Sequence, residues 1–283
     1  MTMAIGMPAA GEMGAGLGRV LAEHGAQVLT CTEGRSVQTR ERAANAGMSE
    51  ADVAALASAE VILSVVPPGI AVETAKHLAR HFSKTAPPLY IDGNAVSPRI
   101  AREVAAVVEL AGGTCVDGGI IGGPPKPGGA GPKLYVSGPA AERALPLRDL
   151  GLDVRAVEGG IGAASALKMS YGGLTKGLTG IMAALMLAAE REGVGAALHS
   201  ELSDSQAGLL KRAENAVPGM YPKAYRWVAE MESIAEFVGP EQGECVIWEG
   251  LARLYERLAI DHDGDGIEIA LMDTFLGRVT KSG

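Results

Sequence analysis

The sequence predicts an α/β fold: a doubly wound, mainly parallel sheet over residues 1–158, followed by an all-α domain over residues 159–283. Three observations predict it. Up to Glu158, short β-rich runs alternate with helical stretches, the pattern of right-handed βαβ units around a parallel sheet. A small-residue turn, Ala9-Ala10-Gly11-Glu12-Met13-Gly14, follows the first β-run and opens a helix. After Gly162 no β-rich run is found, and apolar residues recur at helical spacing.

Each element follows from local pattern. Met3 to Ile5 is a short apolar strand, and Gly14 to His24 a helix. Gln27 to Cys31 is a second strand, and Ser36 to Ala46 a helix. Val61 to Val66 is a continuous apolar run of the buried kind, ended by Pro67-Pro68, and Ala71 to His81 is helical. Leu89 to Ile91 is a strand ended by Asp92-Gly93-Asn94, and Pro98 to Leu110 a helix with proline at its start. Thr114 to Asp117 and Leu134 to Ser137 are strands. Gly118 to Pro132, with seven Gly and four Pro, is expected to be a loop beside a site. Helices are expected over Ala163–Gly193, Gly195–Ala216, Lys223–Val238, Gly243–Ile260 and Ile267–Val279.

Composition excludes several classes. Net charge is −8 with no Lys/Arg block, which argues against nucleic-acid or anionic-membrane partners. Three widely spaced cysteines and no Cys-x-x-Cys argue against a disulfide framework or a zinc site, and fit a reducing cytoplasm. No basic region followed by an apolar stretch and cleavage site opens the chain, so no signal peptide is expected. Leu178 to Ala189 is too short to span a bilayer and reads as a buried helix. Glycine, at 39 residues, is about twice its average share, which points to backbone approaching ligands.

The turn after the first strand matches G-x-G-x-x-G except that Ala9 replaces the first glycine. Gly11 would let a pyrophosphate touch the backbone, and Gly14 would pack helix on sheet. The helix N-terminus would face the anion. Ala9, Ala10, Gly11, Glu12 and Met13 are therefore candidate cofactor residues. At the end of the second strand Glu33 could take the ribose hydroxyls of NAD, whereas Thr32, Arg35 and Ser36 could cradle the 2′-phosphate of NADP. NADP is favoured slightly over NAD, because the acid is not at the very end of the strand. Lys168 opens an apolar helix behind Gly159, Gly162 and Ala164. Burial lowers an ammonium pKa, so such a lysine can exchange protons near neutral pH; alternatively its stem packs and its head reaches water.

Taken together, these segments resemble the β-hydroxyacid dehydrogenase superfamily, which includes 6-phosphogluconate and 3-hydroxyisobutyrate dehydrogenases. The turn is similar to that family's G-x-G-x-M-G. Val65-Val66-Pro67-Pro68 is similar to its "VP" strand ending, and Asp92-Gly93-Asn94-Ala95-Val96-Ser97-Pro98 to its D-x-S-T-x-x-P segment. Asp117-Gly118-Gly119-Ile120-Ile121-Gly122-Gly123 is similar to its substrate motif D-A-P-V-S-G-G, and Gly159 to Lys168 to its G-x-x-G-x-G-x-x-x-K. The resemblance implies a Rossmann-type nucleotide-binding domain and hydride transfer between a nicotinamide and a carbinol carbon. It implies Lys168 as general acid/base, cofactor contacts from Val66, Pro67 and Asn94, a small-molecule substrate and a homodimer. The helical half resembles a poorly characterised branch with its own C-terminal domain.

This chain departs from the family at two places. Tyr171 and Gly172 stand at the family's Asn-Asn, and Ile121 at its substrate serine. A bulkier or less acidic substrate than hydroxyisobutyrate is therefore expected. Lys168, Tyr171 and Thr175 share a helix face, so Tyr171 could orient the substrate oxygen or share the proton work. Gly122 and Gly123 could offer N–H groups to an anion, and with Gly119, Ile121 and Thr175 they complete the expected substrate site. Two other functions stay open: reduction of C=N bonds, and dinucleotide binding without catalysis. Asp261-His262-Asp263-Gly264-Asp265-Gly266 imitates the start of a calcium loop, but Met272 stands where the twelfth-position glutamate belongs, so an acidic turn is expected and no metal. Trp227, Trp248 and Phe237 are expected in the core or a dimer interface.

Overall fold

A computed structural model describes residues 2–126, 129 and 131–278. The chain divides into two units, Met1–Met169 and Ser170–Gly283. The boundary expected at Glu158–Gly159 lies within the first unit, in the connection to the helix that carries Lys168.

The first unit runs β1 (Ala4–Met7), α1 (Glu12–Glu23), β2 (Gln27–Thr30), α2 (Val37–Asn45), β3 (Ser49–Glu50), α3 (Val53–Ala57), β4 (Val61–Ser64), α4 (Ala71–Ala79), β5 (Leu89–Asp92), α5 (Pro98–Leu110), β6 (Thr114–Ile121), β7 (Lys133–Ser137), a 3₁₀ segment (Ala141–Arg148) and β8 (Asp153–Ala156). It ends in the first turns of α6 (Ala163–Arg191). The strands form one sheet in the order β3-β2-β1-β4-β5-β6-β7-β8, and every pairing is parallel except β6 with β7. The winding reverses between β1 and β4, which makes their C-terminal ends a topological switch point, where open α/β sheets bind ligands. Successive residues feed opposite faces. Leu63 joins Ile5, Leu17 and Leu147 on one side, while Ile62 joins Leu56, Tyr90 and Val104 on the other. Side chains of Ser36, Asp52 and Ser97 accept from backbone N–H groups three residues on, which starts α2, α3 and α5 at these positions.

Several sequence expectations need correction. Gly118 to Ile121 belong to β6 and not to the following loop. Their glycines serve close packing: a Cβ at Gly118 would lie 2.9 Å from the Asp92 carbonyl oxygen, and one at Gly119 only 2.6 Å from that of Ala164. The loop therefore starts at Gly122. Its Pro125 packs on Gly16 of α1, and its carbonyl accepts from Arg19 Nη2 at 3.0 Å. β3, α3 and β8 were not expected; β3 has two exposed residues and β8 a single buried one, so neither carries a hydrophobic period.

In the second unit the helix expected over Gly195–Ala216 is two, α7 (Gly195–Ser205) and α8 (Ala207–Met220), broken at Gln206. Ser203 and Ser205 donate to the carbonyls of His199 and Glu201 just before the break, a local competition that weakens helix continuation. α9 (Ala224–Val238), α10 (Cys245–Asp263) and α11 (Ile267–Phe275) follow. The expected end of the last helix, Val279, lies outside the described residues. Gly173, Gly177 and Gly180 of α6 form a stripe against which Trp248, Leu251 and Tyr255 of α10 pack, and Tyr255 donates to the Lys176 carbonyl at 2.5 Å. Trp227 meets Tyr255 edge-on at 5.2 Å. Taken whole, α6 has the length and hydropathy to cross a bilayer, and half of its most apolar window is buried in the protein. The acidic turn at Asp261 caps α11: its carboxylate accepts from the N–H groups of Glu268 and Ile269, both at 3.0 Å.

Candidate active site

The turn after β1 is shaped for an anion. Gly11 is the N-cap of α1, with φ −65° and ψ 177°, and no side chain caps the helix. The first N–H groups of the helix are thus left for an external partner. A Cβ at Gly11 would meet nothing within 4 Å, so no packing within the protein requires glycine there. The empty space is what a pyrophosphate lying on the backbone needs. Gly14 is different, because a Cβ there would sit 2.6 Å from the Ala9 carbonyl oxygen, which makes it a packing glycine. These residues fit a dinucleotide. Arg42 of α2, not singled out from sequence, donates to the Ala10 carbonyl at 3.2 Å and brings a cation to the same turn.

Beside the turn lies a cleft of about 330 Å³, lined by Pro8, Cys31, Glu33, Arg35, Val66 and Ile70 among others. Two of the expected phosphate donors are already committed. Thr32 is buried and its hydroxyl donates to Glu50 Oε1 at 2.5 Å, while Ser36 caps α2 by accepting from Thr39 N at 3.3 Å. Arg35 and Glu33 remain exposed.

The last residues of β4 and β5 and the middle of β6 bring Ser64, Asp92 and Asp117 into one register row. All three are buried. Asn94 braces this row to the β4 ending: its Oδ1 accepts from Val66 N at 2.7 Å, and its Nδ2 donates to Ser64 Oγ at 3.2 Å and, through a short bond, to Asp92 Oδ1. Its side chain is therefore spent within the protein. Val66 is held by that brace, and Pro67 is exposed at the mouth of the turn. Asp117 anchors α6. Its Oδ2 accepts from Ser137 Oγ, Gly162 N and Ser165 N at 2.9, 2.9 and 3.0 Å, and its Oδ1 accepts from Ser165 Oγ at 2.5 Å. A carboxylate at a helix N-terminus is favoured by the helix dipole, so this contact fixes where α6 begins.

Lys168 lies one turn beyond Ala164. A Cβ at Gly119 would come within 3.3 Å of the Lys168 Cβ, so the glycine of β6 is what admits the lysine stem against the strand. Desolvation pulls the Lys168 ammonium down to about 8, and the negative charge of Asp92 opposes that fall. Burial pushes the Asp92 carboxyl up to about 7, with hydrogen bonds from Asn94 working against it and the nearby Asp117 adding to it.

The predicted site residues thus separate. Ala9 to Met13 form one turn, with Arg35 and Val66 along the adjoining cleft, while Gly119 and Lys168 meet at β6. Gly122 takes φ +127° against Pro132, Gly123 is in open space, and Ile121 ends β6 partly exposed. Tyr171 and Thr175 follow on α6 within the second unit; Tyr171 is 51% exposed, and Thr175 donates its hydroxyl to the Tyr171 carbonyl at 2.7 Å. Asp92 and Asp117 were not expected as site residues. The available signal was that each ends a β-rich run at the edge where α/β sheets bind ligands.

A doubly wound sheet with an uncapped glycine turn after its first strand defines a dinucleotide-binding protein. The family model described as the NAD binding domain of 6-phosphogluconate dehydrogenase matches residues 4–145, just over half of the chain, and the chain belongs to that family. It is thereby a member of the NAD(P)-dependent oxidoreductase superfamily. A second model, a domain of unknown function (DUF1932), matches residues 189–258. Among solved structures, the conserved protein MTH1747, of unknown function and described as similar to 3-hydroxyacid dehydrogenases, is 28% identical, with a TM-score of 0.74 over 93% of this chain and 99% of that one. The 3-hydroxyisobutyrate dehydrogenase of Mycobacterium tuberculosis, solved with L-serine, is 21% identical, with a TM-score of 0.70 over 97% and 99%. An imine reductase from Myxococcus stipitatus shares the fold at 21% identity in a variant bound to NAD+, with a TM-score of 0.58 over 98% and 100%, and was also solved with NADP+.

Proposed function

We propose that this chain is an NAD(P)-dependent dehydrogenase or reductase acting on a hydroxy or keto small molecule, with Lys168 as general acid/base. The observation that carries the proposal is the Lys168 stem seated against Gly119 of β6, next to the strand of buried Asp92 in a dinucleotide-binding sheet, where desolvation draws the ammonium down to about 8. A bound nicotinamide would supply or accept the hydride. The chain's own part is to hold the pyrophosphate on the α1 N-terminus at Gly11 and to manage the proton at Lys168 Nζ. For carbonyl reduction the protonated lysine, dominant at pH 7, gives its proton to the oxygen becoming a hydroxyl. For alcohol oxidation the neutral lysine, dominant above about pH 8, takes that proton. Tyr171, whose hydroxyl has no hydrogen-bond partner among the described residues, is assigned a supporting role on the substrate oxygen, Gly122 and Gly123 are assigned N–H donation to an anionic group, and Ile121 points to a bulkier or less acidic substrate than hydroxyisobutyrate.

NADP is proposed ahead of NAD on the strength of exposed Arg35 alone, since Thr32 and Ser36 are committed elsewhere. A homodimer is proposed from an exposed apolar stripe on α6, Tyr171, Leu174, Ile181 and Leu185, whose spacing keeps it on one side of the helix. A reducing cytoplasm is proposed from three free thiols. The test is NADPH or NADH oxidation against a panel of ketones, keto acids and cyclic imines. Carbonyl turnover that falls in Lys168→Met supports the proposal. Imine turnover that is indifferent to Lys168→Met favours the C=N reading, which the fold shared with an imine reductase keeps open, and cofactor binding without turnover favours a binding protein.

A further inference from the structure

Two buried acids stand next to each other where Lys168 enters, and they are not equivalent. Both oxygens of Asp117 are occupied, by four donors from β7 and the start of α6. Asp92 has one oxygen occupied by Asn94, while its Oδ2 is buried with no hydrogen-bond partner. A buried carboxylate oxygen without a partner is costly unless a cation or a bound group answers it. Among the described residues Lys168 is the cation whose charge acts on Asp92, and Gly119 is the residue that lets its stem lie against the strand next to the one carrying Asp92. The other titratable groups facing Asp92 are Asp117 on β6, Tyr90 on its own strand and Cys115 on β6. Burial pushes Tyr90 and Cys115 up, so both stay neutral near pH 7 and add no negative charge beside Asp92.

We propose that Asp92 is the positioning residue of Lys168. Its charge acts on the ammonium through space, without a direct hydrogen bond, at the edge of β5 and β6, and sets the pH at which the lysine releases its proton. This rests on the assignment of Lys168 as the proton-transfer group. It adds that the group works as half of a pair, and that Asn94 reaches the lysine through Asp92. The brace from Val66 N through Asn94 to Asp92 then ties the β4 ending, where the cofactor cleft lies, to the charge state of the lysine.

The test is titration, not turnover. Competitive labelling with acetic anhydride from pH 6 to 10, read by mass spectrometry, gives the midpoint of Lys168 against exposed Lys211 as control. Asp92→Asn is expected to lower the Lys168 midpoint by roughly one pH unit with Lys211 unmoved, and Asp92→Glu to bring it back toward wild type. The reciprocal arm keeps the test valid if Asp92→Asn does not fold. In Lys168→Met the infrared carbonyl band of the buried carboxylic acid is expected to persist to higher pH, by a similar amount, because coupling between two sites is mutual. A Lys168 midpoint unmoved in Asp92→Asn, or a carboxylic-acid band unmoved in Lys168→Met, would overturn the pairing. Coupled midpoints with no turnover on any substrate would leave the pair standing and refute the enzymatic reading, so the two failures are distinguishable.

Discussion

Gly11 and Gly14 sit three residues apart in one turn, and the structure predicts opposite consequences for giving each a methyl group. At Gly11 a Cβ meets nothing within 4 Å and φ is −65°, so Gly11→Ala fits the folded chain without strain. Two small effects oppose each other. Alanine is a poorer N-cap than glycine by roughly half a kcal/mol, and removing glycine freedom from the unfolded chain stabilises by about 0.4–1 kcal/mol. The net change is within about 0.5 kcal/mol, which for a chain of this size moves Tm by at most about 2 °C. Cofactor binding is another matter. The methyl occupies the space the pyrophosphate needs and lifts it from the helix N–H groups. Losing one or two charge-assisted hydrogen bonds at about 1.5–3 kcal/mol each weakens NADPH binding by at least about tenfold. In Gly14→Ala the Cβ would lie 2.6 Å from the Ala9 carbonyl oxygen, so the turn must move and stability falls by about 1–3 kcal/mol along with affinity. Thermal melting and NADPH fluorescence titration of both variants make the comparison. An undiminished NADPH affinity in Gly11→Ala would refute the placement of the pyrophosphate.

Further outcomes are specific to single residues. Arg35→Ala is expected to weaken NADPH by about tenfold and leave NADH nearly unchanged, measured by the same fluorescence titration. Lys168→Met is expected to stabilise the protein at pH 7. The lysine titrates at about 8 when folded against an ordinary 10.5, so folding opposes its charge by about 3 kcal/mol at any pH below 8. Because the unfolded chain binds that proton more strongly, wild-type stability gains from this group as pH rises from 8 to 10.5; urea melts at pH 7 and 10 should show the variant's advantage shrinking. Leu174→Glu combined with Leu185→Glu is expected to convert a dimer to monomer in sedimentation, with the fold intact.

Much of the nucleotide-binding half was legible because its signals are local. The apolar run at Val61, the Ser97-Pro98 helix start and the Gly11 turn each report on their own residues. The site was legible only in part, because its determinants are pairwise and distant in sequence. Nothing around Asp117 announces that its carboxylate will receive Gly162 and Ser165, 45 and 48 positions away. Gly118 and Gly119 read as loop residues because a glycine required by close packing looks, in sequence, like one required by a turn. Asn94 read as a ligand contact for a similar reason: an exposed-type amide after a strand is as well suited to bracing two strand ends as to holding a ribose. The bond from the Thr32 hydroxyl to Glu50 is not legible in sequence, because Glu50 lies on a two-residue strand with no hydrophobic signal of its own.

The proton-transfer role of Lys168 is tested most directly by measuring single-turnover reduction of an accepted carbonyl substrate by NADPH-loaded protein, wild type against Lys168→Met, with the NADPH Kd determined on the same samples. The role predicts a rate about 10²- to 10⁴-fold lower in the variant, with the Kd within about twofold of wild type. Equal rates at equal cofactor occupancy would contradict it.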